Sequence, residues 1–334
     1  MRVMAAATHP AVLGIDVGGT KTAAAIVEGG RRLHHVEEAT PLETSECVVD
    51  CIEKAARNAI AAVGAEPAAV GIGVPSQIDF ASGTVLSSVN IPLAGVALGQ
   101  ELSDRLGVPV FVDNDANVAA LAEAQVVEGG PSTHLVMYTL GTGVGGGLII
   151  DGRIFRGATG LGAELGHVVI DYDGPPCQGS CPNRGCLETM CSGTALERDA
   201  REVAARHPES ALAKGPIDGK SIVAAADAGD EQALALFDRL GMLFGVGLSG
   251  AINTFEPQHI VVGGGLSRAA HLFMDRAVAE ARARALPALA QRVKISLAKA
   301  GADAGVVGAG LLALHELESG KGDTAGATAT ERLR

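Results

Sequence analysis

Short apolar runs punctuated by glycine alternate along this chain with longer stretches whose apolar residues recur every three or four positions. Residues 12–16 and 22–27 are two such runs joined across Gly18-Gly19, which predicts a β-hairpin. Over 45–63, Val48, Ile52, Ala55, Ala59 and Val63 share one face at helical spacing, and Gly64 supplies the stop. Cys47 and Cys51 on that helix read as small buried hydrophobes. Strands are predicted over 70–74 and 108–112, with a helix over 116–127. A strand over 134–140, a glycine loop over 141–147 and a strand from 148 follow, turning at Asp151-Gly152. The remaining pattern predicts helices over 232–253, 269–284 and 304–317 and strands over 259–262 and 293–298. The Gly/Thr/Ala-rich end, 319–334, reads as a disordered tail.

Strands alternating with helices imply a layered α/β architecture. A strand, glycine turn and strand occur near residue 16 and again near 143, which suggests two related domains, each offering a glycine loop to one ligand. Composition supports a packed core: 334 residues are 47% hydrophobic and 19% charged. With 3% aromatics and no Trp, that core is built from Ala, Val, Leu and Ile. A net charge of -12 argues against nucleic acid as a partner, since phosphate neutralisation needs clustered Lys and Arg. The apolar stretches 129–150 and 240–255 are broken by glycines, and the second is short, so no membrane association is expected. The N-terminus carries no signal-peptide pattern, so a cytoplasmic location with reduced or metal-bound cysteines is expected.

Three glycine clusters are candidate ligand loops. In Asp16-Val17-Gly18-Gly19-Thr20-Lys21, glycines open backbone amides to phosphate oxygens, Thr20 and Lys21 add donors, and Asp16 suits a water-mediated Mg²⁺. The plainer reading is a Gly-Gly hairpin. Gly141-Thr142-Gly143-Val144-Gly145-Gly146-Gly147 fits G-x-G-x-x-G, but a dinucleotide site needs a helix to start there, and a β-hairpin pattern follows instead. Gly263-Gly264-Gly265 is either a strand-to-helix turn or a floor for adenine or ribose.

Asp113-Asn114-Asp115-Ala116-Asn117 joins a strand to a helix. Asp115 either caps that helix or is a general base for transfer to a hydroxyl, with Asn114 fixing a neighbouring hydroxyl. His167, Cys177, Cys181 and Cys186 supply three thiols and an imidazole in a Gly/Pro-rich loop, the donor set of a closed, structural zinc site; the alternative is a group of free cysteines. Glu164 and Glu188 flank it, either as solvated charges or as paired acceptors for a polyol.

With these residues in hand, the chain resembles the ROK family (repressors, open reading frames, kinases) and, within it, the bacterial glucokinases. The matching pieces are D-V-G-G-T-K at 16–21, D-N-D-A-N-V-A-A at 113–120, L-G-T-G-V-G-G-G at 140–147, E-L-G-H at 164–167, C-P-N-R-G-C-L-E at 181–188 and A-G-V-V-G-A at 304–309, in family order. The resemblance implies an actin-like, hexokinase-like (ribonuclease H-like) two-domain ATPase fold with a cleft between the domains. It implies transfer from ATP, with Mg²⁺, to a hexose, most simply glucose to glucose 6-phosphate. Asp115 would be the base; Ser76, Asn90, Asn114, Glu164, His167 and Glu188 would surround the sugar. Phosphates and nucleotide would meet Asp16, Gly18, Gly19, Thr20, Lys21, Gly141, Thr142, Gly143, Gly263, Gly264 and Gly265. Zinc would sit on His167, Cys177, Cys181 and Cys186, with a homodimer or homotetramer as the assembly. The expected domains are a small one over 10–115 with 308–320, a large one over 116–307 carrying the zinc loop, and a tail over 321–334.

Two departures stand out. Cys177 and Cys181 are three residues apart where the family usually has C-x-C, and Pro75-Ser76 stands where it usually has Pro-Gly. About ten residues precede the first strand, so the helix-turn-helix of the family's regulators is not expected. An N-acetylhexosamine kinase and a non-catalytic sugar-binding regulator remain as alternatives.

Overall fold

The computed structural model describes residues 10–179 and 181–320; the expected tail at 321–334 lies outside them. The strands are β1 (Val12–Val17), β2 (Lys21–Glu28), β3 (Arg31–Ala39), β4 (Val70–Val74), β5 (Ser76–Asp79), β6 (Thr84–Ser88), β7 (Val110–Asn114), β8 (Leu135–Leu140), β9 (Val144–Ile150), β10 (Arg153–Ile154), β11 (His259–Gly263) and β12 (Lys294–Leu297). The α-helices are α1 (Ser45–Val63), α2 (Leu98–Leu106), α3 (Asp115–Val126), α4 (Leu187–Cys191), α5 (Gly193–Arg206), α6 (Gly219–Asp227), α7 (Glu231–Phe255), α8 (Met274–Arg284), α9 (Pro287–Ala290) and α10 (Ala304–Glu318). Contacts divide the chain into two compact units. Among the described residues, unit 1 comprises 10–131, Arg153–Gly162 and 300–320; unit 2 comprises Ser132–Gly152 and Ala163–Lys299. The division falls after Pro131 rather than after Asp115, because α3 packs on α10 and β4 of unit 1.

The sheet of unit 1 runs β3-β2-β1-β4-β7, with β1 and β2 antiparallel and β1, β4 and β7 parallel. Helices cover both faces of its centre, so β4 is buried at every position and reads as one apolar run. On one face, Thr44 caps α1 by accepting from the Cys47 amide, Gly64 ends the helix in the left-handed conformation, and Val48, Ile52, Ala55 and Ala59 are buried. Cys51 is buried as expected, whereas Cys47 in the first turn is exposed. On the other face lies α10, in direct backbone contact with the sheet. A methyl at Gly14 would overlap the Val306 carbonyl, and one at Gly71 the Ala309 carbonyl.

Unit 2 repeats the plan: β8 and β9 are antiparallel, and β8, β11 and β12 are parallel, in the order β9-β8-β11-β12. The hairpin plus two parallel strands is the same motif as β2-β1-β4-β7. Its core is threaded by α7, whose 25 residues are long and apolar enough to cross a bilayer. In the structure α7 is a core helix. Phe237, Leu240, Phe244, Leu248 and Ile252 are buried, and Tyr138, Phe244 and Phe273 meet edge-on with centroids 5.4 and 6.5 Å apart.

Several expectations need correction. The loop expected over 141–147 is a turn at Gly141–Gly143, and Gly145, Gly146 and Gly147 are strand residues opposite Thr139, Tyr138 and Met137. Gly146 lies against Leu165 and the Ala163 carbonyl, so the strand lacks a side chain there because another segment packs on its backbone. The helix expected over 269–284 is split into a 3₁₀ segment, Gly265–Leu272, and α8. Strand β7 begins two residues later than expected.

Candidate functional site

In unit 1 the candidate residues collect where the parallel strands end. Asp16 lies near the end of β1 opposite Gly73, Ser76 follows β4, and Asn114 closes β7 opposite Val74. Ligands of open α/β sheets gather at this carboxyl edge. The Gly18-Gly19 turn is closed by the Gly18 amide donating to the Lys21 carbonyl at 2.8 Å, and the Asn90 carbonyl lies beside Gly19. Thr20 is exposed. The Lys21 ammonium donates to Glu37 on β3 at 2.6 Å, an exposed pair that leaves the side chain free to exchange partners.

Asn114, and not Asp115, is the N-cap of α3. Its side-chain oxygen accepts from the Ala116 and Asn117 amides at 2.9 and 3.4 Å, while its amide donates to the Ser76 carbonyl at 3.3 Å. The Ser76 hydroxyl is buried and donates to Ser88 at 2.8 Å across the β5–β6 hairpin. Asp115 is the first helical residue, and one of its oxygens accepts from the Ala116 amide at 2.9 Å. Burial pushes its carboxyl above the usual range against that hydrogen bond. Asp16 is pushed up to about 6, first by burial and then by the charge of Asp115, with Lys21 opposing. Gly305, in the first turn of α10, sits against the Asp16 carboxylate so closely that no side chain fits. Two half-buried acids therefore share a site whose charge calls for a cation.

In unit 2 the Gly141–Gly143 turn is held from outside. Glu188 accepts from the Val144 amide at 3.0 Å, and a side chain at Gly143 would overlap its carboxylate. The Gly193 amide donates to the Gly141 carbonyl at 2.8 Å, and the Thr194 hydroxyl to the Thr142 carbonyl at 2.9 Å. The Gly141 amide donates to the Gly143 carbonyl at 2.9 Å, so with its carbonyls taken the turn offers the Thr142 and Gly143 amides, the arrangement an anion needs. The loop runs into strand β9 and not into a helix, which removes the dinucleotide reading. Gly263 ends β11. Gly264 takes φ +87° against the backbone of Leu140, which only glycine does without strain, while Gly265 faces open space. Glu164 precedes the 3₁₀ turn Leu165–His167, whose Gly166 lies against the Val144 carbonyl. Glu164, His167 and Glu188 are thus ranged along β9.

The ligating atoms of His167, Cys177, Cys181 and Cys186 lie within 4.8 Å of one another. Cys181 and Cys186 sulfurs are 3.9 Å apart, and Cys177 sulfur lies 3.5 Å from His167 Nδ1. A tetrahedral ion with S and N ligands at about 2.3 and 2.1 Å requires edges of about 3.8 and 3.6 Å. The residues present therefore fit. The longer Cys177–Cys181 spacing is absorbed by a turn with Gly179 at φ +62°, and the Cys177 amide is held by the Asn183 carbonyl at 2.8 Å. Burial, then the neighbouring thiols, push Cys186 up to about 12, whereas the Asn183 amide lowers Cys181.

Sequence reasoning missed the hold of Glu188, Gly193 and Thr194 on the turn. Nothing in S-G-T at 192–194 signals it, since these residues act through short backbone approaches.

The ROK family model matches residues 12–316. A glucokinase of Halalkalibacterium halodurans is 34% identical over 320 residues, covering 92% of this chain and 96% of its own. The ROK hexokinase of Thermus thermophilus superposes with a TM-score of 0.81 at 33% identity, covering 92% and 99% of the two chains. A ROK glucokinase of Streptomyces griseus, crystallised with glucose and AMPPNP, gives 0.73 at 37% identity, covering 91% and 99%.

Proposed function

This chain belongs to the ROK family, and from that premise we propose that it is an ATP-dependent sugar kinase converting glucose to glucose 6-phosphate. Its fold is the actin-like, hexokinase-like ATPase fold of the ROK hexokinases. The observation that carries the reading is Asp115, a half-buried acid with a raised pKa at the carboxyl edge of a sheet, beside a second acid, Asp16. A general base works best when its pKa approaches the working pH, and burial moves Asp115 that way.

In the proposed reaction Asp115 accepts the proton of the 6-hydroxyl as its oxygen attacks the terminal phosphorus of ATP, and ADP leaves. The Asn114 cap holds Asp115 in place from the preceding residue. The Gly19, Thr142 and Gly143 amides, which the turns do not use, receive phosphate oxygens, and Gly265 leaves room for the nucleoside. Glu164, His167 and Glu188 accept sugar hydroxyls, His167 through Nε2 because Nδ1 faces Cys177. Asp16 would hold Mg²⁺, which would supply positive charge to offset that of the phosphates. Zinc on His167, Cys177, Cys181 and Cys186 would be structural, since four protein ligands close its shell. The cytoplasm, where ATP is abundant, is the setting this reading requires.

The test is a panel of glucose, mannose, N-acetylglucosamine and N-acetylmannosamine in a coupled ADP-release assay. Glucose is expected to give the highest kcat/KM. An N-acetylhexosamine matching or exceeding glucose changes the substrate, and no sugar-dependent ADP release removes the kinase reading.

A further inference from the structure

The chain enters unit 1 at Arg153 and leaves it after Gly162, between β9 and the segment that carries Glu164. This arm delivers one cation into a buried acidic setting. Arg156 Nε donates to Asp113 at 2.6 Å, and Arg156 Nη2 lies 3.3 Å from a Glu316 oxygen on α10. The guanidinium carbon sits 3.5 Å from the centroid of the Phe80 ring. The side chains of Arg156, Asp113 and Glu316 are only 15%, 3% and 8% exposed. Such a network is held together by its cation, because removing one partner strands charge away from water.

The other oxygen of Asp113 is turned to the start of α3. It accepts from the Asn114 amide at 2.7 Å and from the Asn117 side-chain amide at 2.9 Å. Those two residues bracket Asp115 in the sequence. One carboxylate thus ties the arm, through Arg156, to both flanks of the base. The arm is shaped for this. The Gly162 amide donates to the Arg156 carbonyl at 2.8 Å, and Gly157 and Gly160 take φ of +72° and +97°, Gly160 lying against the Ile78 carbonyl. A loop so closed fixes the backbone from which Arg156 reaches.

We propose that Arg156 is a positioning residue for phosphoryl transfer, holding Asp113 so that the Asn114–Asn117 turn presents Asp115 at the angle the base requires. Its side chain is spent on Asp113, Glu316 and Phe80, so its loss is felt in turnover and not in substrate affinity. Lysine retains the charge without the fork, and cannot hold Asp113, span to Glu316 and stack on Phe80 together. The inference rests on the kinase reading with Asp115 as base.

The experiment uses the full-length wild type, Arg156→Lys, Asp113→Asn and the double variant, with kinetics per folded enzyme and melting followed in parallel. In Arg156→Lys, kcat is expected to fall at least about tenfold, the scale of a small misplacement of a catalytic group, with both KM values within about threefold. Because both residues act through one contact, the double variant is expected to be no slower than the slower single variant. A lowered melting temperature with kcat within about twofold of wild type makes the cluster merely structural and overturns the proposal. Multiplicative losses in the double variant, or a raised KM at unchanged kcat, overturn it as well. Failure to recover Arg156→Lys folded makes Arg156 a folding requirement and has the same consequence. An inactive wild type removes the kinase reading itself, a result distinguishable from any of these.

Discussion

Replacing Asp16 with asparagine sets stability against function at one atom pair. The Asp16 carboxyl is held up to about 6 from an ordinary 3.8, chiefly by burial and next by Asp115. Its proton is bound more tightly in the folded chain than in the unfolded one, so the group favours folding while protonated. That contribution is lost as pH climbs from about 4 through about 6, and above this range the ionised group is a fixed burden. Raising the carboxyl from 3.8 to about 6 makes that burden about 3 kcal/mol at pH 7.5. Asparagine retains the shape and removes the charge. The ligand-free variant is therefore expected to be more stable than wild type by up to about 3 kcal/mol at pH 7.5, the gap shrinking to roughly half at pH 5. Urea denaturation in magnesium-free buffer at the two pH values reads both numbers. Turnover with ATP and magnesium should collapse in the same variant, because the charge that calls for a cation is gone. A variant no more stable than wild type at pH 7.5, or a gap that widens at pH 5, refutes the reasoning.

Asp115→Asn should keep glucose binding by calorimetry while kcat falls by roughly 10²-fold or more; a loss of only a fewfold would reduce Asp115 to a structural residue. Chelating the zinc proposed for the His167–Cys186 cluster, or Cys181→Ser, should weaken both sugar and nucleotide binding. Helix α4 starts directly after Cys186, and its Glu188 accepts from the Val144 amide beside the Gly141–Gly143 turn. Titrations in which only sugar affinity changes would disprove that linkage. Gly71→Ala drives a methyl into the Ala309 carbonyl and should cost about 3 kcal/mol, the upper end for overpacking, in a urea melt. A loss under about 1 kcal/mol would mean that α10 moves away freely.

The parts legible in the sequence are those where burial is uniform or periodic. Strand β4 and helix α1 were expected at the observed residues, because one is apolar throughout and the other has a single apolar face between Thr44 and Gly64. Strand β3 escaped because it is an edge strand: Arg31, Arg32, Leu33 and His34 are exposed, and its order comes from pairing with β2. The glycines at 145–147 read as loop because a missing side chain looks alike in a turn and in a strand packed backbone to backbone. In the site, the Cys and His donors and the acids could be recognised by residue type. The capping exchange between Asn114 and Asp115 could not, since either side chain satisfies a helix start. Arg156 was invisible for another reason: its partners Asp113, Phe80 and Glu316 are scattered along the chain and meet only in the folded unit.

The close seat of α10 on the sheet has a consequence for how this protein is made. Unit 1 opens with β1 and β2, yet the helix that covers Gly14 and Gly71 is encoded after residue 303. During translation the bare backbone of β1 and β4 stays uncovered while unit 2, lying between, is synthesised and can condense. At about 5–20 residues per second, that interval lasts on the order of ten seconds or more. A nascent chain stalled in this window exposes an apolar sheet with glycines at its centre, a surface that chaperones recognise and that other unfinished chains can pair with. Helix α10 is in this sense the closing step of unit 1, and the yield of active enzyme depends on how promptly it arrives.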